Sequence, residues 1–305
     1  MNKIKIICIV GPTAGGKTSL GVEIAKRVNG EIISADSMQI YKNMPIATAV
    51  ASKEEKQGIP HHLTEFLDID QSYSVADFVQ DANIVIDDIV SRNKLPIIVG
   101  GTGLFVDSLV KGIQFSQSNI DENLRKELEQ LSNEELYEML KKLDNESADK
   151  IHPNNRKRVI RAIEMCSNGK TKTEQDKLAL QNESRYDALY IAIGYRDREK
   201  LYERINKRVD LMIANGLEDE ARKIYSNAGS TSCQAIGHKE LQGYINGDIT
   251  LDEAVENLKR ITRNYAKRQL TWFRRNEKIN WLYADEMTNE ELLSKALDLT
   301  ERFLK

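Results

Sequence analysis

The stretch that decides the fold is Gly11-Pro12-Thr13-Ala14-Gly15-Gly16-Lys17-Thr18, which directly follows an apolar run over residues 4 to 10. It matches the pattern G-x-x-x-x-G-K-[ST] between a strand and a helix, the context that identifies a phosphate-binding loop. Backbone N–H groups at the start of that helix can cradle a phosphate chain, and Lys17 adds a positive charge. The Thr18 hydroxyl is the expected ligand for Mg²⁺. The loop predicts a phosphate site and leaves the rest of the ligand open.

Strand and helix patterns alternate after this loop. A helix is predicted over residues 18 to 28, a buried strand over 31 to 35, a long amphipathic helix after Ser74, and a third strand over 95 to 99. This alternation predicts parallel βαβ units, which collect ligands at the carboxyl ends of their strands. Asp36 and Thr102 would both stand at that edge, beside the phosphate loop.

The middle of the chain interrupts the sheet pattern. Residues 121 to 181 are rich in Glu, Lys and Leu and carry no strand signal, whereas residues 187 to 195 again predict a strand. Long helices follow over residues 198 to 214 and 251 to 275, with a last amphipathic helix over 287 to 305. We therefore predict an α/β fold with a P-loop NTPase-like parallel sheet flanked by helices and an inserted all-helical domain. The expected parts are residues 1 to 117 (first part of the P-loop core), 118 to 184 (helical insertion) and 185 to 305 (core completion with basic helices).

Composition indicates an ordinary globular protein, since 40% of its 305 residues are hydrophobic and 30% are charged. The three cysteines, Cys8, Cys166 and Cys233, form no C-x-x-C pair, so we expect a reducing compartment and no structural zinc. Cys8 lies within the first strand, where a small buried thiol is expected. No apolar run approaches the ~20 residues of a membrane span. A cytoplasmic monomer without membrane contact is the resulting expectation.

The net charge of −3 hides two basic clusters without acidic residues. One combines Lys and Arg with three aromatic side chains and comprises Lys259, Arg260, Arg263, Tyr265, Lys267, Arg268, Trp272, Phe273, Arg274 and Arg275. The other comprises Arg156, Lys157, Arg158 and Arg161. Each could be a solvated helix face, or the two could bind a polyanion such as RNA. The charge pattern leaves both interpretations open.

The acid expected of a phosphate-loop ATPase is missing. Such enzymes normally end a second apolar strand with an Asp that supports Mg²⁺ and attack on the γ-phosphate. Here the strand over residues 95 to 99 ends at Gly100, and the carboxylate left at a strand end is Asp36. This favours a group-transfer enzyme in which the phosphate chain is itself the leaving group.

A series of motifs in the chain resembles the bacterial tRNA dimethylallyltransferase (tRNA isopentenyltransferase, IPP transferase) family. The similarity runs in order from about residue 3 to residue 281. Its motifs are GPTAGGKT (11 to 18), IISADSMQIY (32 to 41), GIPHHL (58 to 63), YSVADF (73 to 78), GGTGL (100 to 104), IHPN (151 to 154), QAIG (234 to 237) and KRQLTWFR (267 to 274).

This resemblance implies transfer of a dimethylallyl group from dimethylallyl diphosphate to N6 of adenosine 37, next to the anticodon of tRNA, with release of diphosphate. Asp36 would then be the general base, and Thr102 would hydrogen-bond the base or its amine. The phosphate loop, with Mg²⁺ on Thr18, would stabilise charge on the departing diphosphate. The resemblance also implies nucleotide binding, including binding of ATP.

The resemblance also implies the binding residues. Diphosphate or nucleotide contacts are expected from Gly11, Pro12, Thr13, Ala14, Gly15, Gly16, Lys17, Thr18 and Arg208. Contacts to tRNA are expected from Asp36, Ser37, Met38, Gln39, Thr102, Arg125, Lys157, Arg158, Arg161, Gln234, Gly237, Lys239, Lys267, Arg268, Gln269, Trp272 and Arg274. The helical insertion and the basic C-terminal helix would face the RNA from two sides, because N6 must be extracted from a stacked loop.

Several positions depart from the family pattern. Gly15 replaces the usual Ser, Ala47 the usual Gly, Val50 the usual Lys, and His238 the usual Tyr, which would add a titratable group near the presumed RNA surface. Structural alternatives also remain: Asp36 could cap a turn, His61-His62 could be structural loop residues, and Trp272 and especially Tyr265 could belong to the core.

Two other functions compete with the transferase. A small-molecule kinase would share the loop and the sheet but would need ATP. A non-catalytic RNA-binding switch would use nucleotide occupancy only to regulate its affinity for RNA. Loss of turnover with retained tRNA binding on substitution of Asp36 would separate the enzyme from the switch.

Overall fold

The computed structural model describes residues 3 to 113, 121 to 167, 171 to 174, 183 to 225, 229 and 232 to 305. The strands are β1 (Ile4–Val10), β2 (Gly30–Ser34), β3 (His61–His62), β4 (Leu95–Val99), β5 (Tyr186–Gly194) and β6 (Ile279–Tyr283). The helices before β5 are α1 (Lys17–Val28), α2 (Pro45–Thr48), α3 (Lys53–Lys56), α4 (Val75–Ser91), α5 (Gly103–Val110), α6 (Glu122–Gln130), α7 (Asn133–Leu143), α8 (Asn145–Lys150) and α9 (Arg156–Ser167). Those after β5 are α10 (Arg198–Ala214), α11 (Leu217–Tyr225), α12 (His238–Ile245), α13 (Leu251–Phe273) and α14 (Asn289–Leu304), with a short 3₁₀ helix at Ser232–Gln234.

The six strands form one parallel sheet in the order β3-β2-β4-β1-β5-β6. Strand β1 lies in the middle, with Ile9 opposite Val99 of β4 and Ile191 of β5. Because all strands run the same way, the phosphate loop, the turn after β2 and the loop after β4 meet at one edge. The predicted α/β fold with a P-loop NTPase-like sheet is confirmed.

Helices cover both faces of the sheet, because successive side chains along each strand point to opposite sides. One face carries Ile7, Ile9 and Ile191 and packs against α1, α10, α13 and α14. The other face carries Ile6 and Cys8 and packs against α4 and α5. The thiol of Cys8 is fully buried, as the sequence predicts, and burial raises its pKa.

The strands and helices whose bounds the sequence predicts individually lie within two residues of those bounds. Helix α4 begins after Ser74, whose hydroxyl accepts the Asp77 N–H while the Asp77 carboxylate accepts the Ser74 N–H, a capping box. The sheet edges were missed. His61 and His62 form the short strand β3 and not a loop, and β6 carries no alternation strong enough to identify it. These edge strands are stabilised by backbone pairing with β2 and β5. Their own residues therefore do not reveal that they form strands.

Residues Lys111–Ser184 form a compact unit separate from the sheet unit of Met1–Val110 and Arg185–Lys305. Its described core is made by the apolar faces of α6 to α9, including Leu128, Leu136, Leu140 and Ile163. The boundary that the sequence predicts between residues 117 and 118 lies outside the described residues. Among the described helices of the chain, none is long and apolar enough to cross a membrane.

Candidate active site

The phosphate loop joins β1 to α1 in a conformation that its glycines permit. Gly11 and Gly16 have φ angles of 133° and 93°, which residues with a side chain rarely adopt. A Cβ atom on Gly11 would lie 2.5 Å from the carbonyl oxygen of Ile193 in β5, so the loop passes close to the sheet. The N–H groups of Lys17 and Thr18 are in the first turn of α1, where no preceding helical carbonyl can accept them, so they are available to an anion.

Lys17 and Arg208 bring positive charge to the side of this loop that faces the cavity. The Lys17 amine donates to the Pro12 carbonyl at 2.7 Å. Burial and, to a smaller extent, the nearby Arg208 charge lower the pKa of Lys17 to about 8, while the Asp36 charge acts in the opposite direction. Burial also lowers the pKa of Arg208, although Asp36 and Glu55 partly oppose that effect. Positive charge is thus concentrated at the phosphate loop, with the carboxylates of Asp36 and Glu55 nearby.

A cavity of about 320 Å³ opens beside the phosphate loop within the sheet unit. The predicted site residues among its lining are Thr13, Lys17, Thr18, Asp36, Ser37, Met38, Gln39, Arg208, Gln234, Arg268 and Gln269. Side chains that the sequence did not single out also line it, among them Lys56, Thr64, Val209, Met212, Leu258 and Thr262. His61, predicted to be structural, lies in the same wall. The cavity lining combines charged groups with aliphatic side chains such as Val209, Met212 and Leu258.

Asp36 follows β2 and turns the chain. One carboxylate oxygen, Oδ1, accepts the Met38 N–H at 3.0 Å, so Asp36 does cap a turn. Among the described residues, no hydrogen bond occupies its other oxygen, and the side chain faces the cavity. Asp36 therefore combines a structural role with a carboxylate oxygen that can accept a proton from a ligand.

The Gly100-Gly101-Thr102-Gly103 segment, here the GGTG loop, lies against this turn. The Thr102 N–H donates to the Ala35 carbonyl at 3.1 Å, and the Thr102 hydroxyl accepts the Ser37 N–H at 3.1 Å. Gly100 is required because a Cβ atom there would lie 2.1 Å from the Ala35 carbonyl oxygen. Thr102 is thereby fixed beside Asp36.

Gln39, three residues after Asp36, also lines the cavity. Its amide nitrogen donates to the Thr48 and Ala49 carbonyls at 3.2 and 3.1 Å, and its oxygen accepts the Ser34 hydroxyl at 2.8 Å. The side chain ties the end of β2 to α2. Its predicted contact with tRNA stays a prediction.

Helix α13 supplies another wall. Gln269 is buried, its side-chain oxygen accepts the Thr13 N–H at 2.8 Å, and its nitrogen donates to the Gly101 carbonyl at 3.0 Å. The sequence favours a core position for Tyr265, four residues before Gln269. In the structure, Tyr265 lies in the cavity lining on the same face of the helix. Burial and the Asp36 charge raise the pKa of Tyr265, while hydrogen bonding with Thr102 and Gln269 lowers it. The spacing of four from Gln269 could have identified Tyr265 from the sequence.

Three predicted residues in or next to this helix, Lys267, Trp272 and Arg274, lie outside the main cavity. Trp272 is half-buried, and its indole N–H donates to the Asp107 carboxylate at 3.1 Å. Lys267 is exposed, with its amine 5.6 Å from the centroid of the Tyr202 ring. Arg274 is exposed at the end of α13. Trp272 thus contributes to packing, and the RNA contacts predicted for all three residues stay predictions.

A second, more open cavity of about 410 Å³ adjoins the first and shares Gln234, Ile236 and Arg268 with it. Lys239 and Arg260 add positive charge to its lining, and Glu240 adds a negative charge. Arg260 belongs to the basic cluster but was not among the predicted tRNA contacts. Gly237, at the start of α12, has a φ of 117°, which explains the glycine in the QAIG motif.

His238 does not lie on a surface as the sequence predicted. It is 3% exposed, and its Nε2 lies 2.9 Å from the buried carboxylate of Glu220. The same carboxylate accepts the N–H groups of Ile46 and Ala47 at 2.8 and 2.9 Å. Glu220 therefore fastens α2 to α12 behind the cavity wall. No local signal reveals this, because the partners are 18 and more than 170 residues away.

The remaining predicted tRNA contacts lie in the helical unit. Lys157 and Arg158 are exposed on α9, as expected of RNA-binding side chains. Arg161 lies 3.3 Å from Glu164, and Arg125 lies 3.6 Å from both Glu129 and Glu164. The latter two arginines thus form ion pairs within this unit.

The residues at the phosphate loop suit a Mg²⁺ ion that is bound by one protein oxygen and otherwise by phosphate oxygens and water. Among the described residues, no group of three or more His, Cys, Asp or Glu side chains is placed to hold a metal ion. Mg²⁺ is commonly bound by one or two protein oxygens together with substrate phosphates and water. The Thr18 hydroxyl, in the cavity lining next to Lys17, is an oxygen donor of this kind.

Comparisons with known proteins agree with this architecture. A family model described as IPP transferase matches residues 39 to 276. A tRNA dimethylallyltransferase of Acetivibrio thermocellus is 50% identical over 303 residues, which are 96% of each chain. The crystal structure of the tRNA isopentenylpyrophosphate transferase of Bacillus halodurans is 41% identical, with a TM-score of 0.74, and 99% of this chain and 97% of that one are covered.

A more distant solved structure extends the similarity. A eukaryotic dimethylallyltransferase, captured acting on tRNA, is 30% identical with a TM-score of 0.84, and 98% of this chain and 80% of that chain are covered. The similarity therefore spans the sheet unit and the helical unit alike. The chain belongs to the IPP transferase family, whose curated relatives are named tRNA dimethylallyltransferases.

Proposed function

We propose that this enzyme transfers a dimethylallyl group from dimethylallyl diphosphate to N6 of adenosine 37 in tRNA. Family membership supports tRNA prenylation as the general reaction. The observation that carries the finer proposal is one cavity that holds a phosphate loop, a carboxylate and an aliphatic lining together. A phosphate chain, an allylic tail and an amine acceptor need those three environments.

The phosphate end would stabilise the leaving group. As the bond between the allylic carbon and oxygen breaks, its electron pair goes to the diphosphate, where negative charge builds up. The N–H groups at the start of α1, the Lys17 ammonium and the Arg208 guanidinium are placed to meet that charge. Mg²⁺, when held on Thr18 and the diphosphate oxygens, would supply further charge stabilisation.

The turn after β2 would serve the acceptor. N6 forms the new bond to carbon and must lose a proton, which the cavity-facing oxygen of Asp36 can accept. The other oxygen is held by the Met38 N–H at 3.0 Å, which orients the carboxylate. Thr102, fixed by the Ser37 N–H, would hydrogen-bond the base or its amine.

The acceptor would approach along basic surface. Lys239, Arg260 and Arg268 line the second cavity, which adjoins the first. Phosphates attract such groups irrespective of sequence, so they would hold the RNA backbone while the base enters the main cavity. Lys157, Arg158 and Arg161 of the helical unit would add further phosphate contacts.

A small-molecule kinase fits these observations less well. An ATP-dependent phosphoryl transfer would require an acid near Mg²⁺ at the end of a strand such as β4, whereas β4 is followed by Gly100. The aliphatic cavity lining of Val209, Met212 and Leu258 also suits a prenyl chain better than a polar phosphoryl acceptor.

The decisive test follows label from dimethylallyl diphosphate to unmodified bacterial tRNA in Mg²⁺. A parallel reaction uses ATP without the prenyl donor, and another uses tRNA mutated at adenosine 37. We expect labelled tRNA that disappears with the mutant acceptor and no consumption of ATP. Absence of label with ATP consumed would instead assign the chain to the kinases.

A further inference from the structure

The phosphate loop and the GGTG loop are joined by one buried side chain. The Gln269 oxygen accepts the Thr13 N–H at 2.8 Å, and its nitrogen donates to the Gly101 carbonyl at 3.0 Å. Thr13 follows β1 and Gly101 follows β4, and these strands are neighbours in the sheet. A single amide on α13 thus spans the two loops.

The space around this amide is closely filled. A Cβ atom on Gly101 would lie 2.1 Å from the Gln269 nitrogen, and one on Gly103 would lie 2.2 Å from the Trp272 ring. Gln269 and Trp272 are three residues apart and therefore lie on one face of α13. Two glycines of the GGTG loop thus leave room for two side chains of one helix, which fixes the loop and the helix against each other.

The two joined loops have different tasks in the proposed reaction. The phosphate loop would hold the departing diphosphate, whereas the GGTG loop carries Thr102 on the acceptor side. Resting on that proposed function, we propose that Gln269 is a positioning residue that sets the donor loop at a fixed distance from the acceptor loop. Its main role is then to align the reactants rather than to contact RNA.

The geometry favours this role over an RNA contact. Gln269 is 5% exposed, and both polar atoms of its side chain are already engaged by backbone groups. The adjacent Arg268 is exposed and lines both cavities, as an RNA-contacting side chain would. A small error in alignment lowers the rate of a transfer reaction with little effect on binding. The two neighbours should therefore change different kinetic constants.

The first test is Gln269→Glu, which keeps shape and one acceptor but places a carboxylate against the Gly101 carbonyl. We expect kcat for prenyl transfer to fall about 10-fold to 100-fold. The KM for dimethylallyl diphosphate and the Kd for tRNA should each change less than about threefold. Arg268→Ala is the contrasting variant, and it should raise the Kd for tRNA because it removes an exposed charge from the cavity lining. A Q269E variant with normal kcat, or with weakened tRNA binding alone, overturns the proposal.

A second test strains the same contact from the other side. Gly101→Ala should lower kcat in the wild-type background but have little further effect when Gln269 is already Ala, because both changes break one bridge. Independent, additive losses would contradict the bridge.

A third measurement needs no variant. The Thr13 amide should be protected from hydrogen exchange in the free wild-type protein, because its N–H donates to Gln269. Exchange at the rate of an unprotected amide would overturn the bridge. Wild-type enzyme that fails to prenylate tRNA would contradict the proposed function, whereas an active wild type with an unprotected Thr13 would contradict only the bridge.

Discussion

The phosphate loop and the wall formed by α13 line the same cavity, but they depend on the sequence in different ways. The phosphate loop is one run of eight residues whose glycines, lysine and threonine carry their chemistry with them. The opposite wall depends on partners remote in sequence, such as Gln269, which contacts residues 256 and 168 positions away. The first side can be recognised from its own residues. The second requires the assembled fold.

The comparison predicts that the local side carries the largest catalytic effect. Lys17→Ala should lower kcat/KM for dimethylallyl diphosphate about 10³-fold, because it removes a buried charge at the leaving group. Lys26→Ala is the matched control, since Lys26 lies in the last turn of the same helix and pairs with exposed Glu23. Steady-state kinetics of both variants test this. Equal activities of the two variants would show that Lys17 does not take part in the reaction.

The remote side should instead show its largest effect on folding. Glu220→Ala would leave the Ile46 and Ala47 N–H groups and His238 without their buried acceptor. We expect a loss of about 3 kcal/mol in the free energy of unfolding, measured by urea denaturation.

Glu218→Ala, on the same helix, is the control for that change. Glu218 forms a more exposed i,i+4 ion pair with Arg222, so its removal should cost less than about 1 kcal/mol. Similar losses for Glu218→Ala and Glu220→Ala would show that the buried carboxylate does not fasten the wall.

A pH profile tests the electrostatics of the phosphate loop. The pKa of Lys17 in the free protein is lowered to about 8, so the amine loses its charge as pH rises through that value. Diphosphate binding needs the charged form, and the KM for dimethylallyl diphosphate should therefore rise above pH 8, by up to about 10-fold per pH unit. Lys17→Arg keeps the charge and should flatten this part of the profile. A flat wild-type profile between pH 7 and 9.5 would contradict the assignment.

The smallest effect is expected in the helical unit. Arg158→Ala should weaken tRNA binding about fivefold and reduce the slope of log affinity against log salt by about one, because one phosphate contact is lost. Lys141→Ala is the control, since Lys141 lies on α7 outside the basic cluster and pairs with Glu138. Filter binding at several salt concentrations measures both. Equal slopes for Arg158→Ala and wild type would remove Arg158 from the interface.

What could be predicted from the sequence follows the same division. The phosphate loop, the strands around it and α4 are encoded by local patterns, and the structure places them close to the expected positions. His238 illustrates the limit, because its burial depends on Glu220, which reaches it only through the packing of α11 and α12. Tyr265 lies between these two cases. Its spacing of four residues from Gln269 places both on one helix face, but an aromatic residue in an amphipathic helix also fits a position in the core.

The edges of the sheet show the limit for secondary structure. Strand β3 has only two residues, and β6 has only two buried side chains out of five. Their extended conformation is stabilised by backbone pairing with β2 and β5. A short run without alternation carries too little local information to predict such a strand.

The central claim is that chemistry occurs where the turn after β2 meets the phosphate loop, with Asp36 accepting the proton. Single-turnover prenyl transfer by Asp36→Asn, with tRNA binding measured on the same preparation, tests it most directly. We predict that the transfer rate falls by at least about 10²-fold while the Kd for tRNA stays within about threefold of wild type. Transfer at the wild-type rate would contradict the account.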